Sequence, residues 1–177
     1  MKMFKRKNKS RDIKKKARRT LSSQFSKEKK NYVADTSAII NKFVSSLIKK
    51  GLQGKIIIPN AVMAELENLA NKGREEGFLG LEEVSSFHKL KHRFQIQLYF
   101  QGLRPNEMQI KFAKSGEIDA LIRGIAIRNK AVLLTADLVQ AKSAQAYGLP
   151  VLYIRPRYKK IKKSFFSFFK RKSRKKA

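Results

Sequence analysis

Between residues 31 and 154 short apolar runs alternate with stretches of helical periodicity. Runs rich in β-formers occur at Tyr32–Ala34, Lys55–Ile58, Gln95–Tyr99, Ala131–Leu134 and Val151–Ile154. The stretch from Ser37 to Lys50 reads as a helix ending before Gly51, and Ala61 to Asn71 as one ending before Gly73. From Phe78 to Arg93, Leu81, Val84, Phe87, Leu90 and Phe94 share one helical face. Ser115 reads as the cap of a helix reaching Asn129, with Ile118, Ile122 and Ile125 at helical spacing. A last helix runs from Asp137 to Tyr147 and stops at Gly148 and Pro150. This alternation predicts an α/β domain of three layers, with a central parallel sheet between helices. In such sheets the working cleft lies beyond the carboxyl ends of the strands.

Charge divides the chain differently. The net charge is +29, from 42 Lys/Arg against 13 Asp/Glu. Residues 1–30 hold 14 basic and 2 acidic residues, and residues 155–177 hold 12 basic residues and no acid. The middle holds 16 and 11, so the two tails supply 24 of the 29 net charges. Such a balance favours a polyanionic partner, either nucleic acid or an anionic membrane surface. The first tail offers few apolar residues and is expected to order only on an anionic partner. The absence of cysteine excludes disulfides and thiolate zinc sites. With no apolar segment after the basic N-terminus and no run near the roughly 18 residues that span a bilayer, a cytoplasmic protein is expected.

Against this basic background four acids are regularly placed. Asp35 directly follows the first strand, and Asp137 follows Val132-Leu133-Leu134 after the two intervening residues Thr135 and Ala136. Glu65 lies on the first turns of the helix after Ile56-Ile57-Ile58-Pro59, and Asp119 on the first turns of the Ser115 helix. In a parallel sheet all four can face one cleft. Two carboxylates about 5 Å apart repel by roughly 3 kcal/mol at an effective dielectric near 20, so four together call for cations. Hard oxygen donors with no His or Cys beside them indicate Mg²⁺ or Mn²⁺. Each acid also has a structural reading. Asp35 and Asp137 fit helix N-caps, Asp119 could pair with Arg123, and Glu65 could favour the positive end of its helix. Taken together at one edge, metal binding is the stronger reading.

The run Val33-Ala34-Asp35-Thr36-Ser37 resembles the opening motif of PIN-domain nucleases. Val62-Met63-Ala64-Glu65-Leu66-Glu67 is similar to their second motif, and Gly116-Glu117-Ile118-Asp119-Ala120-Leu121-Ile122 to their third. Leu134-Thr135-Ala136-Asp137 resembles the fourth. The resemblance covers about residues 31–154 and is closest to the PIN segment of archaeal PIN–ATPase–KH proteins. The chain lacks a phosphate-binding loop and, by its length, room for a KH domain, so no ATPase activity and no nucleotide cofactor are expected. The resemblance implies a PIN-like fold and metal-dependent endonuclease chemistry, usually on RNA. Asp35, Asp119 and Asp137 would bind Mg²⁺ or Mn²⁺, with Glu65 as a further ligand or base. Ser37 and Thr135 are candidates for positioning water or phosphate, or equally for capping adjacent helices. The family also brings the option of a homodimer.

In the second tail Lys159, Lys160, Lys162 and Lys163 lead into Phe165, Phe166, Phe168 and Phe169, then Lys170 and Arg171. Interleaved bases and aromatics suit single-stranded RNA, with cations along the phosphates and rings on the bases. An anionic membrane surface is the weaker alternative. A catalytically idle RNA- or ribosome-binding module is the other reading of the whole chain. His88 and His92 stand at i,i+4 without the Glu of a metalloprotease motif, and they read as exposed helix residues.

Overall fold

The structure, a computed structural model, describes residues 30–113 and 116–156. Five strands form one sheet: β1 (Lys30–Ala34), β2 (Gly54–Pro59), β3 (Ile96–Gln101), β4 (Val132–Thr135) and β5 (Val151–Tyr153). All neighbouring pairs are parallel, in the order β3-β2-β1-β4-β5. Val33 stands opposite Ile57 on one side and Leu133 on the other. Every strand expected from the apolar runs is present. The central strands are buried on both faces, as Ile56, Ile57 and Ile58 show, so they read as unbroken apolar runs rather than alternating ones.

The described residues form seven helices: α1 (Thr36–Ile40), α2 (Phe43–Lys49), α3 (Asn60–Asn71), α4 (Glu75–Leu90), α5 (Glu107–Phe112), α6 (Glu117–Arg128) and α7 (Leu138–Ala146). Helices connect the parallel strands and flank the sheet, as crossover connections require. The expected three-layer α/β/α arrangement follows. Strand order reverses between β1 and β4, the point at which open parallel sheets form a crevice beyond the carboxyl ends of the strands.

Three local differences from the sequence expectation have physical causes. The expected helix from Ser37 to Lys50 breaks at Lys42, which adopts a left-handed conformation with φ 56°. Ile39 and Val44 are both buried but five residues apart, about 140° out of phase on a continuous helix. The break re-aims the second half, and the N–H of Ser45 is then capped by the buried Glu83 carboxylate at 3.0 Å. Secondly, α4 begins at Glu75 and ends at Leu90, so His92 lies in the following turn. His88 remains on the helix, exposed and stacked on Phe100. Thirdly, α5 was not expected, because Met108, Ile110 and Phe112 alternate with a period of two. It forms through a capping box, in which Asn106 and Gln109 each accept from the other's main-chain N–H.

Candidate metal centre at the carboxyl edge

Asp35 leaves the end of β1 at the reversal point. Its N–H bonds to Leu134 O of β4 at 3.0 Å, which ties the first and fourth acidic motifs together. Although Asp35 occupies the N-cap position of α1, its side chain does not cap that helix. Instead Oδ2 accepts from Ser37 Oγ at 2.6 Å and from Thr135 Oγ1 at 2.7 Å. Those hydroxyls in turn accept from main-chain donors, Ser37 from Ala136 N–H at 2.8 Å and Thr135 from Asp137 N–H at 3.0 Å. Each hydroxyl carries one proton. With both protons directed at Asp35, the 3.1 Å approach of Ser37 Oγ to Thr135 Oγ1 is a close contact and not a third bond. Ser37 and Thr135 therefore lock Asp35 in place while binding the start of the fourth motif.

Thr36 performs the equivalent task for the second acid. Its Oγ1 donates to Glu65 Oε2 at 2.6 Å, joining α1 to α3. The sequence reading passed over Thr36. The signal was its place between Asp35 and Ser37, since adjacent residues at a helix start point in different directions and can serve two acids. Glu67, two residues beyond Glu65 and so on the other side of α3, pairs with Arg104.

Asp137 is exposed and caps α7: Oδ1 accepts from Val139 N–H at 2.7 Å and from Gln140 N–H at 3.2 Å. Capping fixes this carboxylate just beyond the end of β4, so the helix-cap reading of Asp137 is what the hydrogen bonds show. Asp119 lies on the first turn of α6, which Gly116 opens at φ 83°. Ser115, the expected cap, lies outside the described residues. Arg123 does not ion-pair with Asp119; its Nη1 donates to Gln140 Oε1 at 2.8 Å.

The four acids share one electrostatic environment. Burial pushes the Asp35 carboxyl up, the bonds from Ser37 and Thr135 oppose that rise, and Asp137 adds to it. Burial also raises Glu65, against the Thr36 hydrogen bond and with a contribution from Asp35. Asp119 is pushed up to about 6, first by burial, then by Asp35 and Asp137, while Arg123 opposes the shift and Glu65 adds to it. Asp119 thus lies within electrostatic reach of the other three acids. Among the described residues no three acids or histidines converge as a preformed cage. The donor set, all carboxylate and hydroxyl oxygen, fits a hard divalent ion.

A separate recess of about 390 Å³ lies at the opposite, amino ends of the strands, lined by Asn31, Gly54, Lys55, Lys91, Phe94 and Gln95 among others. It contains none of the four acids. The candidate nucleic-acid contacts Lys159, Lys160, Lys162, Lys163, Phe165, Phe166, Phe168, Phe169, Lys170 and Arg171 lie outside the described residues. No helix among the described residues is long and apolar enough to cross a membrane.

Residues 32–152 match the family model of the PIN domain. An uncharacterised KH and PIN-domain-containing protein of Methanocaldococcus jannaschii is 39% identical over 127 residues, covering 71% of this chain and 20% of the relative. The chain thus spans one fifth of that relative's length. A solved domain of a functionally unknown protein from the same organism aligns with a TM-score of 0.68 at 38% identity, over 71% of this chain and 91% of that domain. A PilT N-terminus domain protein of Sulfolobus solfataricus gives a TM-score of 0.41 at 12% identity, over 70% of this chain and 86% of that one. PIN domains are typically nucleases and generally use divalent metal ions. The four motifs, the 3-2-1-4-5 parallel sheet and the family match agree: the chain belongs to the PIN-domain family.

Proposed function

We propose that this protein is a metal-dependent endoribonuclease, hydrolysing RNA phosphodiesters at the crevice between β1 and β4. The observation that carries the reading is the position of Asp35 and Asp137 just past β1 and β4, at the sheet's reversal point, with Asp35 held by Ser37 and Thr135 and Glu65 tied to the same helix start through Thr36. Asp35, Asp119 and Asp137 would hold Mg²⁺ or Mn²⁺ directly, and Glu65 would be a ligand or the proton acceptor. When bound, such an ion supplies Lewis acidity toward phosphate and water.

The chain's own residues do the rest. Ser37 and Thr135 hold Asp35 in one orientation, and Thr36 holds Glu65, so neither acid must reorganise when the substrate arrives. Glu65, its pKa raised by burial, is suited to take a proton from the attacking water. The water oxygen bonds to phosphorus, the bond from phosphorus to the leaving ribose oxygen breaks, and that oxygen gains a proton. The net charge of +29 favours RNA as the polyanion brought to the cleft, with the Lys- and Phe-rich tail as its second contact.

The test is cleavage of RNA by purified protein with Mn²⁺ or Mg²⁺, beside Asp35→Asn. The expected result is cleavage by the wild-type protein that chelation or the substitution abolishes. Equal cutting by both proteins, or none by the wild type, contradicts the proposal. RNA binding that survives loss of Asp119 and Asp137, without any cleavage, would make the chain an idle binding module.

A further inference from the structure

Arg123 stands one turn beyond Asp119 on α6, at the spacing that favours an ion pair. The guanidinium turns elsewhere. Its Nη1 donates to Gln140 Oε1 at 2.8 Å, and its central carbon lies 5.5 Å from the centre of the Tyr147 ring. Gln140 is only 1% exposed. Its other end, Nε2, reaches the main-chain oxygen of Asp119 at 3.4 Å. A buried amide from α7 therefore grips both the arginine and the backbone that carries the metal-site acid.

A guanidinium offers five N–H donors in a planar fork that matches the oxygens of a phosphate. Gln140 accepts from one of them, and Arg123 is in neither of the ion pairs formed by the described residues, Arg74–Glu76 and Arg104–Glu67. The side chain is half-buried, so it is held rather than waving in solvent. Among the described residues it is also the cation whose charge acts on Asp119 beside three acids. Four acids alone repel a phosphate chain, and a fixed positive fork at their border offsets that repulsion.

We propose that Arg123 binds a backbone phosphate of the substrate next to the cleaved linkage, with Gln140 as the residue that positions it. The inference rests on the nuclease reading and adds a substrate contact to it. Tyr147 completes the grip through its ring face.

The test uses the full chain with Mn²⁺ and short RNA oligonucleotides carrying one neutral methylphosphonate at each linkage in turn, beside a 2′-deoxy sugar. For the wild type, one linkage flanking the cut should lower kcat/KM roughly tenfold when neutralised, the scale of one charge-assisted contact. Arg123→Gln should show a similar roughly tenfold loss on the unmodified substrate and no further loss at that linkage. Gln140→Met keeps the charge, so it should raise KM yet remain sensitive to the same linkage. Full sensitivity retained by Arg123→Gln at every linkage overturns the inference. So does a variant whose only change is a shifted pH profile, because Arg123 would then act solely as a counter-charge to Asp119. A wild type that cuts RNA while Arg123→Gln is indistinguishable from it removes the inference alone. A wild type that cuts no RNA removes the nuclease reading and this inference together.

Discussion

Asp119 stands half-buried among three other acids, and its carboxyl holds a proton up to about pH 6, against an ordinary value of 3.8. The folded chain therefore binds that proton more tightly than the unfolded chain does. The stability linked to it is full below the unfolded value and is lost as pH rises through about 6. In a dry site two pH units would amount to about 3 kcal/mol, but partial exposure reduces this to about 1 kcal/mol. Asp119→Asn mimics the protonated form. Without added metal it should melt a few degrees above the wild type at pH 7.5 and alongside it near pH 4, by differential scanning calorimetry. Mn²⁺ should raise the melting temperature of the wild type at pH 7.5, much less at pH 5, and not that of the variant. Thr135→Val tests the hydroxyl lock. Asp35 loses a donor and Asp137 N–H an acceptor, so Mn²⁺ affinity by titration calorimetry should fall about tenfold or more, while a purely local packing role would leave it unchanged.

At the scale of elements, the apolar runs were legible because buried parallel strands need no alternation and α3, α4 and α6 each bury one helical stripe. Strand order was not legible, since no local pattern says that β4 pairs with β1 rather than β3. The break at Lys42 was hidden because local propensity there favours a helix, and only the phase of Ile39 against Val44 betrays it. The acids were legible as positions at strand ends and helix starts, but their hydroxyl partners were not all, since Thr36 reaches a residue 29 positions away. The packing of α3 on α4 depends on Gly77. A Cβ there would lie 2.2 Å from Ala70 N and 2.7 Å from Leu66 O, both main-chain atoms that cannot move aside. Gly77→Ala should cost roughly 3 kcal/mol or more in urea unfolding. Gly124→Ala, inside α6 with its nearest contact an Arg128 side-chain nitrogen at 3.7 Å, should instead stabilise by about 0.5–1 kcal/mol. Equal effects from the two would contradict this account of the α3–α4 crossing.

Across the whole sequence, charge and candidate chemistry are separated: Asp35, Glu65, Asp119 and Asp137 lie within residues 31–154, and most of the net positive charge lies in residues 1–30 and 155–177. Removing residues 1–29 and 157–177 should weaken RNA binding and flatten its dependence on salt, by filter binding, while leaving metal-dependent cleavage of saturating RNA in place. Liposome flotation with and without residues 158–177 separates a membrane role, which requires the full chain alone to float on anionic vesicles. The central claim is that Asp35, Glu65, Asp119 and Asp137 form one metal centre. The most direct measurement is a crystal of the protein soaked in MnCl₂, with anomalous diffraction collected at the manganese edge. One or two peaks among those four carboxylates are the result this account predicts; a crevice without manganese at saturating concentration, or ions bound only elsewhere, would contradict it.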